Sequence, residues 1–188
     1  MKSAFLLLPL LLAGCGPNSS PSSDTQPVGQ PAERHVAVTI PDTERDFMQL
    51  LLDGAADYKA APNELKKSSI KKTRDKKIDA LLDGSGTFSN WYAVLSEMGT
   101  TSEGDAYITV SLPDQLLTLK TWNNGLSDIS DKTLIKNGSP LYEVVSNLEE
   151  GQYVAVSGNI LQEGSVTEAG SMQDPEFIVR FNDIKPVQ

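Results

Sequence analysis

Reactive side chains are scarce in this chain of 188 residues, which has one cysteine, Cys15, and one histidine, His35. A single cysteine cannot form an internal disulfide framework, and one histidine cannot make a multi-histidine metal site. His35 lies just beyond a stretch rich in Pro, Ser and Gly, where we expect no fold to position it. The sequence therefore predicts neither a Ser-His-Asp nor a Cys-His catalytic arrangement.

Other signatures of chemistry are missing as well. The chain has no glycine-rich loop ending in Lys-Ser/Thr, so it lacks that kind of phosphate cradle. Asn123, Asn124 and Gly125, with Asp128 and Asp131, carry calcium-ligand types, but their spacing does not fit the twelve-residue calcium loop. We therefore expect a protein that is not an enzyme and that needs no cofactor and no metal.

Charge is unevenly distributed along the chain. The net charge of −9 argues against a general affinity for nucleic acid. Half of the sixteen basic residues nevertheless fall between residues 59 and 77, whereas residues 83–188 carry a net charge of −10. This basic segment predicts either a helix that binds phosphate headgroups, lipopolysaccharide or nucleic acid, or a solvated face that the acidic remainder neutralises. Its central residues are Lys66, Lys67, Lys71, Lys72 and Arg74.

The N-terminus is typical of an export signal. Lys2 precedes an apolar run over residues 5–12, which is too short to span a bilayer. The sequence Leu-Ala-Gly-Cys at residues 12–15 follows at once and resembles a bacterial lipoprotein lipobox. The resemblance implies that residues 1–14 are a signal peptide and that Cys15 carries acyl chains such as palmitate. It also implies a membrane anchor in the cell envelope, at the periplasmic face of the outer membrane. The alternative is an ordinary secretory signal in which the cysteine is accidental.

Between the cysteine and the first helix, residues 15–40 form a predicted flexible tether. The segment is dominated by Pro, Ser, Gly and Gln up to about Pro31, with too little apolar surface to offset the entropy of ordering.

A helical extension is predicted over residues 41–84. Phe47, Leu50, Leu51 and Tyr58 recur at helical spacing and form one apolar stripe. Pro62 interrupts the pattern, and a second helix is predicted over residues 63–82. An exposed stripe of this size would favour aggregation, so we expect it to pack against the rest of the protein.

Residues 85–188 predict a small barrel. Five segments with strand-like composition occur, and a short helix over residues 141–148 separates the third from the fourth. Ser139 and Pro140 favour the start of that helix, and Gly151 favours its end. The predicted strands cover residues 87–95, 105–112, 116–122, 152–161 and 177–184.

This order of elements resembles the OB-fold, a five-stranded Greek-key barrel. Residues 91–95, the helix and residues 151–158 carry the resemblance, which is similar to tRNA-anti-like OB domains of bacterial secreted and lipid-anchored proteins. The predicted fold class is α+β, a five-stranded OB-like barrel with an N-terminal helical extension. A small sandwich or an SH3-like barrel is the competing fold.

The resemblance implies where a partner would bind. OB barrels bind through their second and third strands and through the loops that join strands one to two and four to five. Here these loops are predicted over residues 97–105 and 162–176. The candidate partner-binding residues are Trp122, Met172, Asp174, Glu176, Trp91 and Tyr107.

Three functions remain open at this point. The first is non-catalytic binding of another envelope protein. The second is binding of an oligosaccharide or a lipopolysaccharide fragment. The third is a mobile-element lipoprotein that blocks entry of phage or plasmid DNA. The barrel strands have few basic residues, so we expect no nucleic-acid partner.

Overall fold

The structure, a computed structural model, describes residues 39–113 and 117–187 of the chain. The predicted signal peptide, Cys15, His35 and the tether up to residue 38 lie outside the described residues. The helices are α1 (Asp42–Ala60), α2 (Glu64–Leu81), α3 (Pro140–Val145) and α4 (Glu168–Gln173), and the strands are β1 (Thr87–Thr100), β2 (Ala106–Ser111), β3 (Thr118–Lys120), β4 (Tyr153–Glu163) and β5 (Glu176–Pro186).

The five strands close into a barrel in the order β1-β2-β3-β5-β4, and β4 pairs back onto β1. Only β3 and β5 run parallel, and the other pairs are antiparallel. Alternate residues of β2 face the core, as a strand with one buried face requires. With α3 between β3 and β4, the architecture is OB-like, and the predicted fold class is confirmed.

Strand β1 is longer than its composition predicts. It pairs with β4 over residues 87–94 and with β2 over residues 94–100, with register shifts in both halves. Gly99 was expected in a hairpin loop, but it lies within the strand. A Cβ at Gly99 would sit 2.4 Å from the Tyr107 hydroxyl, so this glycine serves the close approach of a tyrosine.

The connection between β4 and β5 is also more ordered than predicted. Both strands extend further than their apolar patterns indicate, and α4 occupies much of the remaining segment. Thr167 caps this short helix by accepting a hydrogen bond from the Gly170 amide at 3.0 Å.

Helix α3 begins as the sequence predicts but ends earlier. The Ser139 hydroxyl accepts a hydrogen bond from the Tyr142 amide at 3.1 Å. The helix stops at Val145, and turns lead from there to Gly151, which has a φ of 86°. The Gly151 amide donates to the Leu95 carbonyl at 2.7 Å. This glycine therefore aligns β4 with β1 and does not end the helix.

Helix α1 docks onto the barrel through its apolar stripe. Phe47 is fully buried, with its ring centroid 4.9 Å from that of Trp91 and 5.5 Å from that of Phe177. Leu51 joins the same core cluster, and Leu50 packs partly buried against it. The expected packing of the extension is therefore present at these positions. Tyr58 is buried beside α2, with Lys67 Nζ 5.4 Å from its ring centroid.

Glu44 lies on the same buried stripe as Phe47, one turn earlier. Pairing of β1 with β2 begins only at Val94, and the Tyr92 amide donates to Glu44 Oε2 at 2.8 Å. The carboxyl is fully buried, and its Oε1 has no partner among the described residues. Burial raises the pKa of Glu44 to about 7, although the hydrogen bond from the Tyr92 amide opposes this shift.

The stability of the protein should therefore depend on pH through Glu44. Between pH 4.5 and about 7, the unfolded chain releases this proton while the folded protein retains it, so stability falls as pH rises and stays low above pH 7. Glu44→Gln removes the ionisation and keeps an acceptor for the Tyr92 amide. We expect this variant to match the natural protein near pH 4.5 and to be about 3 kcal/mol more stable at pH 8. Urea unfolding at a series of pH values measures the difference.

The matched control is Glu143→Gln on α3, where the side chain is exposed. This variant should track the natural protein at every pH. A Glu44→Gln effect that is the same at pH 4.5 and pH 8 would show that Glu44 titrates like an ordinary carboxyl.

Candidate protein-binding site

The loop between β4 and β5, a predicted binding loop, is covered by the helical extension. Met172 on α4 is fully buried, with its Cε close to Gly54 of α1. The Ser68 hydroxyl on α2 donates to Glu168 Oε2 at 2.8 Å, which ties α2 to α4. This packing corrects the expectation that Met172 inserts into a pocket of a partner, because its side chain already fills a pocket of its own chain.

Part of the basic helix faces inward. Arg74 is buried, and its Nη1 donates to the Ser171 carbonyl at 2.8 Å. Its Nη2 pairs with Glu163 on β4 and with Asp75, the latter at 2.7 Å. Lys71 Nζ lies 2.7 Å from oxygens of both Asp75 and Glu163. We call Lys71, Arg74, Asp75 and Glu163 the Arg74 network.

At Lys71 and Arg74, the Arg74 network distinguishes the two predicted roles of α2, which are binding of an external anion and a face neutralised by the acidic remainder of the chain. Lys71 and Arg74 are neutralised by carboxylates, one of which belongs to the barrel, so they are not available to an external anion. Lys67 is paired with Glu64 at 2.8 Å, which leaves Lys66 and Lys72 as the exposed residues of the predicted basic set. The structure thus favours the interpretation of a face neutralised by the acidic domain.

The outer face of β2 and β3 carries little free charge. Lys120 is its basic residue, and Lys120 Nζ lies 2.6 Å from Glu176 Oε2 on β5. Tyr107 is half-buried on this face against Gly99. A face of this kind offers no phosphate-binding row of cations.

The loop between β1 and β2 shrinks to residues 101–105 and is tied to the segment before α3. Asp105 accepts hydrogen bonds from Lys136 Nζ at 2.5 Å and from the Asn137 amide at 3.1 Å. These two hydrogen bonds lower the pKa of Asp105, and the hydrogen bond that Lys136 donates to Asp105 raises the pKa of Lys136. This loop is therefore held in place at neutral pH.

Trp122 stands at the base of a structured loop over residues 123–132, which we call the apolar loop. Trp122 Nε1 donates to Asp131 Oδ2 at 2.7 Å. The same oxygen accepts a hydrogen bond from Gln162 Nε2 at 2.7 Å, and the Asp131 carbonyl accepts one from Arg180 Nε at 3.0 Å. Asp131 thus fixes the end of the apolar loop to β4, β5 and Trp122.

A buried carboxylate organises the interior of the apolar loop. Asp128 accepts hydrogen bonds from the Thr133 hydroxyl at 2.7 Å and from the Thr133 and Leu134 amides. The Ser127 amide donates to Asn124 Oδ1 at 2.9 Å, which stabilises the first turn. The residues that superficially suggested a calcium loop are therefore occupied in holding the backbone.

Two large apolar side chains project from this organised backbone. Leu126 is 81% exposed and Ile129 is 60% exposed, three residues apart in successive turns. Exposed apolar residues are common singly, but a pair on a loop held by the buried Asp128 and the half-buried Asp131 is a candidate interaction site. The polar residues around them, which carry calcium-ligand types, obscure this pair in the sequence, although two apolar residues within residues 123–131 are a visible signal.

The remaining predicted partner-binding residues are dispersed. Trp91 is fully buried against Phe47 and has no surface to offer a partner, which corrects its place among the candidates. Asp174 is exposed beyond α4, and Glu176 is half-buried in its pair with Lys120. Trp122 is the one predicted residue in direct contact with the apolar loop.

Within residues 39–113 and 117–187, no helix is both long and apolar enough to cross a bilayer. Those ranges also hold no group of three His, Cys, Asp or Glu side chains placed to share a metal ion. Comparison of the chain with protein-family models, curated proteins and solved structures finds no match. The functional argument therefore proceeds from the fold and the side chains.

Removing one partner of the Arg74 network should destabilise the fold. Glu163→Gln leaves the buried guanidinium short of one counter-charge, and we expect a loss of about 2 kcal/mol in the free energy of unfolding, less than for a fully buried pair because Glu163 is partly exposed. Urea denaturation measures this loss. The matched control is Glu64→Gln, which breaks the exposed pair with Lys67 and should cost less than about 0.5 kcal/mol. Equal effects of the two variants would contradict the assigned role of the network.

Proposed function

We propose that this protein is a non-catalytic, lipid-anchored envelope protein whose OB-like domain binds another envelope protein. The observation that carries the proposal is the exposure of Leu126 and Ile129 on the apolar loop. Because the buried contacts of Asp128 and Asp131 already order the backbone of this loop, little conformational entropy is lost when a partner covers it.

The composition of the apolar loop suits a protein surface. Two exposed aliphatic side chains among Asn and Ser residues, on a loop that follows a half-buried tryptophan, resemble the apolar centre and polar rim of a protein–protein interface. Trp122 reinforces this comparison, since tryptophan is enriched among residues that dominate binding energy. Nucleic acid is disfavoured as a partner because Lys120 and Lys136 are paired with carboxylates, so the exposed Lys132 of the apolar loop is not part of a row of free cations.

Anchoring is proposed from the lipobox-like sequence that ends at Cys15. Acyl chains on this cysteine would hold the protein at the membrane, since each buried methylene contributes about 0.8 kcal/mol. The polar residues that follow would act as a spacer between the membrane and the barrel. We also propose that the barrel is related to the tRNA-anti-like OB domains of lipid-anchored proteins. The proposed location is the periplasmic face of the outer membrane.

Charged substitutions in the apolar loop should abolish partner binding. We expect the double variant Leu126→Asp/Ile129→Asp to weaken capture of the partner at least tenfold, because a partner pocket would have to desolvate two carboxylates. Its unfolding free energy should stay within about 1 kcal/mol of the natural value, since both side chains are exposed. The measurement is crosslinking in intact cells, with the protein expressed from its own signal, followed by mass spectrometry.

The matched control is Leu65→Asp on α2, where the leucine is 87% exposed. This variant should capture the same envelope protein as the natural chain. If the double variant captured it equally well, the apolar loop would not be the binding surface.

Lipidation is tested by Cys15→Ala. We expect the natural protein to incorporate an alkyne-labelled palmitate and to sediment with membranes, and the variant to do neither, because it lacks the thiol that would be acylated. The apolar-loop double variant is the control and should remain labelled. Membrane association of Cys15→Ala at the natural level would refute the anchor at Cys15.

A further inference from the structure

A groove with one aromatic wall lies on the barrel surface, apart from the apolar loop. It has a volume of about 450 Å³, within the range of small-molecule sites. Tyr92 on β1 and Tyr153 on β4 form its wall, with nearly parallel rings whose centroids are 5.1 Å apart. Its other lining residues are Ala93, Val94, Ser96, Ser111, Leu112 and Pro113.

The course of β1 creates this groove. At Val94 the strand pairs with both Ser111 on β2 and Tyr153 on β4, and before Val94 it leaves β2. The gap between the diverging strands opens beside Tyr92, which is diagonal to Tyr153 across the ladder. Side chains in such diagonal positions are within reach of aromatic rings, which accounts for the stacked pair.

The groove presents a flat apolar surface with hydroxyl groups at its edge. Tyr153 is 50% exposed, so one face of its ring is open to solvent while the other meets Tyr92. Among the described residues, neither phenol hydroxyl has a hydrogen-bond partner. The Ser111 hydroxyl donates to Ser96 Oγ at 3.3 Å, and the Ser96 hydroxyl donates to the Thr109 carbonyl at 3.1 Å, so these two oxygens are further acceptors for a ligand.

Charge and backbone restrict what this groove can bind. None of the lining residues that the structure describes is charged, so none of them would pair with a phosphate, a sulfate or an ammonium group. An extended peptide would need free backbone groups at the strand edge, but the Tyr92 amide already donates to Glu44. The groove therefore suits an uncharged ligand that has a flat apolar face and hydroxyl groups around its edge.

We propose that the Tyr92–Tyr153 groove binds a neutral saccharide, with one pyranose ring stacked on the exposed face of Tyr153 and its hydroxyls bonded to the phenols and to Ser96 and Ser111. A β-1,4-linked chain suits this arrangement because its equatorial hydroxyls leave the faces of each ring apolar. The assignment is independent of the protein-binding proposal, since no residue of the apolar loop lines the groove.

Cellohexaose and its N-acetylglucosamine counterpart are the probes, titrated into the full-length protein and followed by nuclear magnetic resonance at Tyr153 and Ser111. Tyr153→Ala should weaken binding at least tenfold because the platform is lost. Tyr153→Phe keeps the ring and loses one hydroxyl, so it should weaken binding only two- to fivefold. Leu65→Ala truncates an exposed side chain of α2, outside the groove, and should leave the affinity unchanged.

The outcomes separate this proposal from the proposed function. Leu126→Asp/Ile129→Asp should retain the saccharide affinity of the natural protein, and Tyr153→Ala should retain capture of the envelope protein. Circular dichroism checks that Tyr153→Ala is folded like the natural chain. If it is not, the two- to fivefold loss of affinity expected for Tyr153→Phe is the test. Absence of binding for both hexasaccharides at 10 mM, or equal affinity of a folded Tyr153→Ala, would overturn the assignment.

Discussion

The docking of Phe47 against Trp91 and Phe177 is the contact on which the arrangement of the helices depends. Trp91 belongs to β1 and Phe177 to β5, so one side chain of α1 contacts two strands of the barrel. Once α1 is fixed there, α2 lies against it at Gly54, where an added Cβ would be 3.0 Å from the Arg74 side chain. Arg74 can then reach Ser171 and Glu163 and lock α4 in place. The hydrophobic contact therefore comes first, and the buried ion pairs add specificity to a geometry that it permits.

This arrangement changes which parts of the OB-like barrel are open to a partner. In a bare barrel, the loop between β4 and β5 would be free to bind, whereas here Met172 and Ser171 on that loop are buried under the helical extension. Two of the surfaces that remain open are the apolar loop, which Asp128 and Asp131 hold, and the groove at Tyr92 and Tyr153. Both arise where the chain leaves the regular ladder, after β3 in the first case and at the divergence of β1 from β2 in the second.

The sequence was sufficient for the elements whose residues repeat at helical or strand spacing. The stripe at Phe47, Leu50 and Leu51 predicted α1 and its packing, and the order of strands around α3 predicted the barrel. Features that depend on a distant partner could not be predicted. Arg74 looks like one more cation in a basic helix until Glu163, 89 residues away, is brought beside it. Gly99 has the composition of a turn residue, and only the structure shows that the Tyr107 side chain packs on it. Glu44 is a typical acidic residue of a first helical turn, and only the structure shows that it accepts a hydrogen bond from the Tyr92 amide of β1.

Carboxylates explain why an acidic chain can carry both a basic helix and a pair of exposed apolar residues. Glu163 neutralises the inner face of α2, Asp105 immobilises Lys136, and Glu176 immobilises Lys120. The Asp128 carboxylate accepts hydrogen bonds from the buried Thr133 and Leu134 amides, and the Asp131 carboxylate accepts them from the Trp122 and Gln162 side chains. Much of the negative charge is thus engaged in internal contacts. Hydrogen bonds to Asp128 and Asp131, and not burial of Leu126 and Ile129 in the core, hold the apolar loop, so these two side chains are exposed and the barrel core does not depend on them.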